Sequence, residues 1–162
     1  MNTSSASLRC AYQTQDSPMT VREGLAEYYR ANPEITQPGE GPEIGEVFFA
    51  SHDVTHVVFG TTTSVRDEAI NDMWSLFALD IPAREYISRG LDVPEVKALF
   101  TLSSLGEFLI ETLRLPFYIP TIRRHAKAMT KPWPWTGFEP YLDLPLAEVR
   151  REFGIEVIDF TR

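Results

Sequence analysis

Prolines and helix-capping residues cut this chain into segments of helical period, and that punctuation constrains its fold more than any other feature. Twelve prolines fall mainly at the starts of amphipathic stretches or just beyond their ends, where a missing backbone N–H costs little. Thr20-Val21-Arg22-Glu23 matches a capping box, in which two side chains satisfy each other's orphan backbone donors. Leu25, Tyr28 and Tyr29 then share one face, and Asn32-Pro33 ends the segment because the residue before proline avoids the helical region. A Gly/Pro-rich loop over 36–45 leads to a second helix over about 46–59, stopped by Gly60. Ser64 caps a third over about 65–79, with Ile70, Trp74 and Phe77 on one stripe. A short fourth covers 82–88, and Pro94 opens a long helix that continues to about 113. Pro116 and Pro120 bracket a turn, and another helix follows over about 121–129. A loop over 130–143, rich in Pro and Trp, precedes a last helix over 144–153 closed by Gly154, and 155–160 read as extended. The expectation is an all-α, single-domain helical bundle of about six to seven helices. Residues 1–19 read as a flexible N-terminal arm and 20–162 as the helical domain.

Composition removes several classes of function. Fifteen basic residues stand against 23 acidic ones, for a net charge of −8. No basic run able to neutralise a series of phosphates is present, which argues against nucleic acid as a partner. The single cysteine, Cys10, rules out a disulfide framework and a cysteine-built zinc site within the chain, and it fits a reducing compartment. Residues 1–20 lack the apolar core of a secretory signal, and Arg9 is too little for a mitochondrial presequence. No run of roughly 18 uncharged apolar residues offers a membrane span. A cytoplasmic location, with peripheral contact to the inner membrane as an option, is expected.

The chemistry concentrates in His52-Asp53-Val54-Thr55-His56. A spacing of four puts His52 and His56 on one helical face, one turn apart, with Asp53 at its edge. Imidazole nitrogens and carboxylate oxygens are donors that zinc, iron or manganese accept. The logic is that of the helical H-E-x-x-H pair, although Asp in place of Glu sets this segment apart from that signature. Phe48, Phe49 and Phe59 project to the same side, so the donors sit on the face that packs inward, where unpartnered polar groups are costly. A metal would supply the partner. The alternative is a core pair of histidines hydrogen-bonded to backbone, Asp or Tyr. Glu68, in the first turn of the next helix, is the candidate fourth ligand, and its alternative role is to complement the helix dipole there.

Together His52, Asp53, His56 and Glu68 spell H-D-x-x-H, eleven residues, E. This pattern resembles the hallmark of the coenzyme Q (ubiquinone) biosynthesis protein 4 family. The run His56-Val57-Val58-Phe59-Gly60 resembles that family's helix end, and residues 145–155 resemble its L-x-x-[LV]-R-x-E-[LF]-G-I closing helix. The likeness covers about residues 20–158 and has the character of a bacterial-type member. Asp67 stands where many members carry Gly. The resemblance implies an all-α fold and a divalent metal ion (zinc, iron, manganese or cobalt) held by His52, Asp53, His56 and Glu68, which would also be the catalytic residues. It implies oxidative decarboxylation and hydroxylation of a polyprenylated hydroxybenzoate-type ring. The alternative in the same setting is a non-catalytic lipid- or quinone-binding scaffold that organises biosynthetic enzymes. Implied partners are a prenylated quinone precursor or similar lipid, other quinone-biosynthesis enzymes, a homodimer mate and a membrane surface.

Residues 99–119 are the most apolar stretch, interrupted by Glu107, Glu111 and Arg114. Phe100, Leu105, Phe108, Leu109 and Phe117 are its candidate lipid-binding residues. The alternative is the core helix of a bundle, which the amphipathic pattern favours. Arg123, Arg124, His125 and Lys127 follow directly. They suit either anionic headgroups or the C-terminal dipole of a helix, with His125 a surface or capping residue. Trp133 and Trp135 read either as an interfacial loop or as packing residues.

Overall fold

The computed structural model describes residues 9–35, 43–92 and 105–160; at 43–46, 92, 105–109, 111 and 112 the description is of the backbone. Among the described residues there are six α-helices: α1 (Val21–Ala31), α2 (Glu43–Phe59), α3 (Val65–Ala78), α4 (Ala83–Asp92), α5 (Leu105–Ala128) and α6 (Leu146–Phe153). Two single 3₁₀ turns, Ala11–Gln13 and Glu139–Tyr141, complete the order. Among the described residues there is no strand, only the isolated bridges Thr20–Pro145 and Leu79–Trp133. The all-α bundle expected from the sequence is the observed architecture.

Local chemistry explains the boundaries. The capping box of α1 forms: the Thr20 hydroxyl accepts from the Glu23 backbone N–H at 3.1 Å, and the Glu23 carboxylate accepts from Thr20 N–H at 2.8 Å. Ser64 caps α3 by accepting from Asp67 N–H at 3.2 Å. Gly60, at φ +76°, turns the chain out of α2 in a conformation only glycine adopts cheaply, and Gly154 closes α6 at φ +69°. Gly24 lets α1 and α2 cross closely, since a Cβ there would lie 2.7 Å from Val57 Cγ1.

Several segments differ from the sequence reading. Pro116 and Pro120 do not bracket a turn; α5 runs straight through both. Both prolines are exposed and lie four residues apart on one face. The carbonyls at 112 and 116 lose their N–H donors within the helix. The expected start of a helix at Pro94 falls outside the described residues. Residues 9–19 are not a loose arm: Tyr12 is fully buried, and its hydroxyl donates to the Thr61 carbonyl at 2.9 Å. The segment is sutured to the C-terminal helix by Leu146 N–H to Met19 O and Ala147 N–H to Ser17 O. Trp133 and Trp135 are buried rather than interfacial. Their loop is pinned to the end of α3 by Trp133 N–H to Ala78 O and Asp80 N–H to Trp133 O, and by the Asp80 carboxylate accepting from Trp135 N–H.

The core sits between α1, α2, α3 and α6, with α5 packed along α3. Phe59 stacks on Trp74 with centroids 4.7 Å apart and planes 3° from parallel. Leu146, Val149 and Phe153 of α6 are buried in the same cluster as Tyr12, Val57 and Trp133.

Arg150 is the side chain that ties the ends of the chain to this core. It is fully buried, and its guanidinium donates to the carbonyls of Val58 (2.9 Å), Val57 (2.8 Å) and Tyr12 (2.7 Å), and also to that of Thr14. Val57 and Val58 belong to the last turn of α2, whose carbonyls have no partner within the helix. Arg150 supplies those donors from inside the protein. Burial pulls its guanidinium down to about 10, against the opposing fields of Asp16 and Tyr12. Replacing it by Ala strands several buried carbonyls at a cost of roughly 1–3 kcal/mol each. Arg150→Ala is expected to lower the unfolding free energy by about 3 kcal/mol or more. Arg150→Lys, which cannot reproduce the fork, should recover less than half of the loss in urea titrations.

Candidate metal centre

The site lies between the second half of α2 and the first two turns of α3. From Asp53 to Thr61 every residue is buried, so His56 lies in the interior, with partly buried His52 one turn before it. The Gly60 turn folds α3 back alongside and presents Glu68 and then Asp72 to the same place.

The histidine Nε2 atoms converge on Glu68. His56 Nε2 lies 3.4 Å and His52 Nε2 3.8 Å from Glu68 Oε2. His52, His56 and Glu68 each offer one ligand atom, all within 4.8 Å of one another. Two ligands each about 2.1 Å from a tetrahedral ion stand about 3.4 Å apart, so these separations suit one shared ion after small adjustments. His56 Nε2 gives an independent reason to test for one. It is buried, its residue is 0% exposed, and it has no hydrogen-bond partner. A polar atom left so inside a protein calls for a partner. Glu68 keeps 39% of its side chain exposed and Asp72 51%, so the donor set is open toward solvent on the α3 side, as catalytic rather than closed structural sites are.

The surroundings hold the rings. Tyr28 stacks on His56 (5.3 Å, 23°) and Phe48 on His52 (5.7 Å, 14°). Phe48 continues into Tyr86 and Trp135, at centroid distances of 6.1 and 5.5 Å, forming an aromatic wall beside His52. Thr61 Oγ1 lies 2.9 Å from His56 Nδ1. Asn71, fully buried on α3, bonds Thr61 and Thr55 and sits 3.5 Å from His52 Nε2.

Asp53 is placed differently from the other three motif residues. Its Oδ1 faces the opposite ring nitrogen, Nδ1 of His52, at 3.9 Å, and its Oδ2 accepts from the Tyr29 hydroxyl at 2.9 Å. It stands behind His52 in the manner of a carboxylate that orients a histidine ligand, and it is not in the convergent group. The alternative to a metal, histidines hydrogen-bonded to Asp or Tyr, is not formed by Asp53: it stands 3.9 Å from His52 and accepts from Tyr29 instead. Asp72, passed over in the sequence, occupies the near side. Its Oδ1 lies 3.9 Å from His52 Nε2 and accepts from the Tyr86 hydroxyl at 2.7 Å. The signal was available, because Asp72 follows Glu68 by four residues on α3 and so shares its face. Asn71 and Thr61 carried no comparable signal.

The five lipid-binding candidates separate. Phe100 lies outside the described residues, as do the side chains of Leu105, Phe108 and Leu109. Phe117 is 78% exposed on α5, on a stripe with Ile110 and Leu113, so this part of the helix is not core. His125 pairs with Glu156 at 3.0 Å, away from the centre. No helix among the described residues is long and apolar enough to cross a membrane. Compared with protein-family models, curated proteins and solved structures, the chain matches none.

The electrostatics of the centre are strongly coupled. Burial disfavours the cationic form of His52. The carboxylates of Asp53 and Asp72, each 3.9 Å from a ring nitrogen, and the charge of Glu68 outweigh it, and the imidazole is raised to about 10. Burial pushes the Glu68 carboxyl up, but His56 and His52 hold it below its ordinary range. Asp72 is likewise raised by burial and lowered more by His52 and Tyr86. In chelator, the His52 contribution to stability is complete below the unfolded imidazole value of roughly 6.5 and is lost as pH rises toward about 10. The carboxylate contribution runs the other way and is lost in acid. The metal-free protein is thus expected to lose stability steadily above roughly pH 6.5 in denaturant titrations, a decline that His52→Gln should flatten. Metal must displace the His52 proton, so uptake near neutrality should release about one proton per ion, measurable in weakly buffered solution.

Proposed function

We propose that this protein is a divalent-metal enzyme of ubiquinone biosynthesis that replaces the ring carboxylate of a polyprenylated hydroxybenzoate by a hydroxyl. The observation that carries the reading is the convergence of His52, His56 and Glu68 from two helices around the Nε2 of a fully buried histidine that makes no hydrogen bond and has the Glu68 carboxylate 3.4 Å away. The likeness of H-D-x-x-H-x11-E and of residues 145–155 to the coenzyme Q biosynthesis protein 4 family gives the chemical class. His52, His56 and Glu68 would hold the metal, Asp72 stands within one side-chain adjustment of joining them, and Asp53 orients His52. When bound, the ion supplies Lewis-acid or redox chemistry at the carboxylate or phenolate of the ring.

The chain's own residues account for substrate placement. Half-buried Phe48 stacks on His52, and Tyr86 and Trp135 are buried behind it, an apolar backing that keeps water from that side of the histidine. Tyr86 binds one oxygen of Asp72 and leaves the other to accept a hydrogen bond from the ring hydroxyl. Exchange of a ring carboxylate for a hydroxyl releases carbon dioxide and consumes one oxygen atom, so dioxygen and a two-electron reductant enter the balance.

A second reading, a non-catalytic lipid- or quinone-binding scaffold, is favoured by one observation: the stripe of Ile110, Leu113 (68% exposed) and Phe117 on α5. One experiment separates the two. Protein loaded with iron, manganese, cobalt or zinc is incubated with a prenylated 4-hydroxybenzoate-type acid, dioxygen and reductant, and carbon dioxide and hydroxylated ring are measured. The enzyme reading expects about one equivalent of metal and product formation. In His56→Ala, product should fall by more than the roughly 10–100-fold that loss of an outer-shell partner costs. Retention of the lipid with metal bound and no product with any ion would establish the scaffold instead.

A further inference from the structure

The polar atoms buried between α2 and α3 form a chain of hydrogen bonds that can be followed from one end. It is anchored at a group that can only accept, the backbone carbonyl of His52. The Thr55 hydroxyl donates to that carbonyl at 2.6 Å. Having spent its one proton, Thr55 Oγ1 accepts from the Asn71 amide Nδ2 at 2.9 Å. This fixes the amide orientation and turns Asn71 Oδ1 toward Thr61, whose hydroxyl donates to it at 3.3 Å. Thr61 has then also spent its proton. With that proton directed to Asn71, the remaining polar contact of the Thr61 oxygen, His56 Nδ1 at 2.9 Å, is a donor to it. A neutral imidazole carries one proton, so Nε2 is left with a lone pair, the form a metal requires. Asn71 is fully buried, as is His56, and Thr61 nearly so, so water offers no competing partners.

We propose that Thr61, backed by Asn71, is a positioning residue that sets the tautomer of His56 and keeps its Nε2 free of a proton. Without Thr61 the Nδ1–H would be stranded in the interior, and the proton would move to Nε2, where Glu68 Oε2 waits 3.4 Å away. The tautomer half of this inference stands on the hydrogen-bond directions alone; its consequence for affinity rests on the metal reading above.

The test measures both. The chain has three histidines, so ring nitrogens can be assigned by long-range ¹H–¹⁵N correlation in the metal-free protein at a pH above the ordinary imidazole value of roughly 6.5. Wild type is expected to show His56 protonated on Nδ1 alone. Thr61→Val should move the proton to Nε2, and Thr61→Ser should restore the wild-type pattern. Asn71→Leu removes the acceptor for Thr61 and frees that hydroxyl to donate to Nδ1, so it should shift the tautomer in the same direction as Thr61→Val. The metal dissociation constant should rise about 10–100-fold in Thr61→Val and return with Thr61→Ser. A proton on Nε2 in wild type overturns the proposal whether or not any variant folds, as does an unchanged tautomer in both Thr61→Val and Asn71→Leu. If wild type takes up no metal while the tautomer behaves as stated, the metal reading fails and the positioning role of Thr61 stands.

Discussion

Helix α2 goes into the protein with its polar atoms still on it, and the rest of the structure is arranged around that desolvation. From Asp53 to Thr61 the chain is buried throughout. Asp53, Thr55 and His56 carry groups that cost several kcal/mol if left without partners there. Each finds one on a different neighbour: Tyr29 of α1 for Asp53, Asn71 of α3 for Thr55, and Thr61 in the Gly60 turn for His56. The helix's terminal carbonyls find Arg150 of α6. Among these buried groups His56 Nε2 is left over, and it lies where three ligand atoms converge.

The same constraint explains why distant parts of the chain meet. Arg150 reaches both the last turn of α2 and the carbonyls of Tyr12 and Thr14. The N-terminal segment is therefore held by the same guanidinium that caps the helix carrying the histidines. The Thr61 carbonyl accepts from the Tyr12 hydroxyl, so the residue contacting His56 is itself braced from residues 9–19. Rigidity at the centre comes from a continuous set of satisfied polar groups, which lose far more when one member is removed than when all are absent.

Two polar layers surround the histidines, and they differ in exposure. In the interior, Thr55, Thr61 and Asn71 are buried and bonded to one another, and buried Asp53 is bonded to Tyr29. On the α3 side Glu68 and Asp72 are partly exposed and carry unspent acceptor capacity. The buried layer orients, and the open one meets whatever enters. The aromatic wall of Phe48, Tyr86 and Trp135 lies beside this opening, and through the Tyr86 hydroxyl it is bonded to Asp72.

Local rules sufficed wherever a neighbour in sequence decided the outcome. The capping box at Thr20, the glycine stops at 60 and 154, the Ser64 cap and the shared face of His52 and His56 all follow from contacts within a turn or two, where spacing is geometry. Glu68 was legible for the same reason, since Gly60 and Ser64 define a short connection back to α2. What lay beyond the sequence was decided by partners far along the chain. Pro116 and Pro120 continue a helix because α5 turns that face to water, a fact about its packing rather than its residues. Residues 9–19 are held because α6 and Arg150 offer them partners more than a hundred positions away. Asp53 stands behind His52, and Asp72 before it, because Tyr29 and Tyr86 draw the two carboxylates to opposite ring nitrogens. Helical period places a side chain on a face. Only the neighbouring helices determine which atom of it meets which.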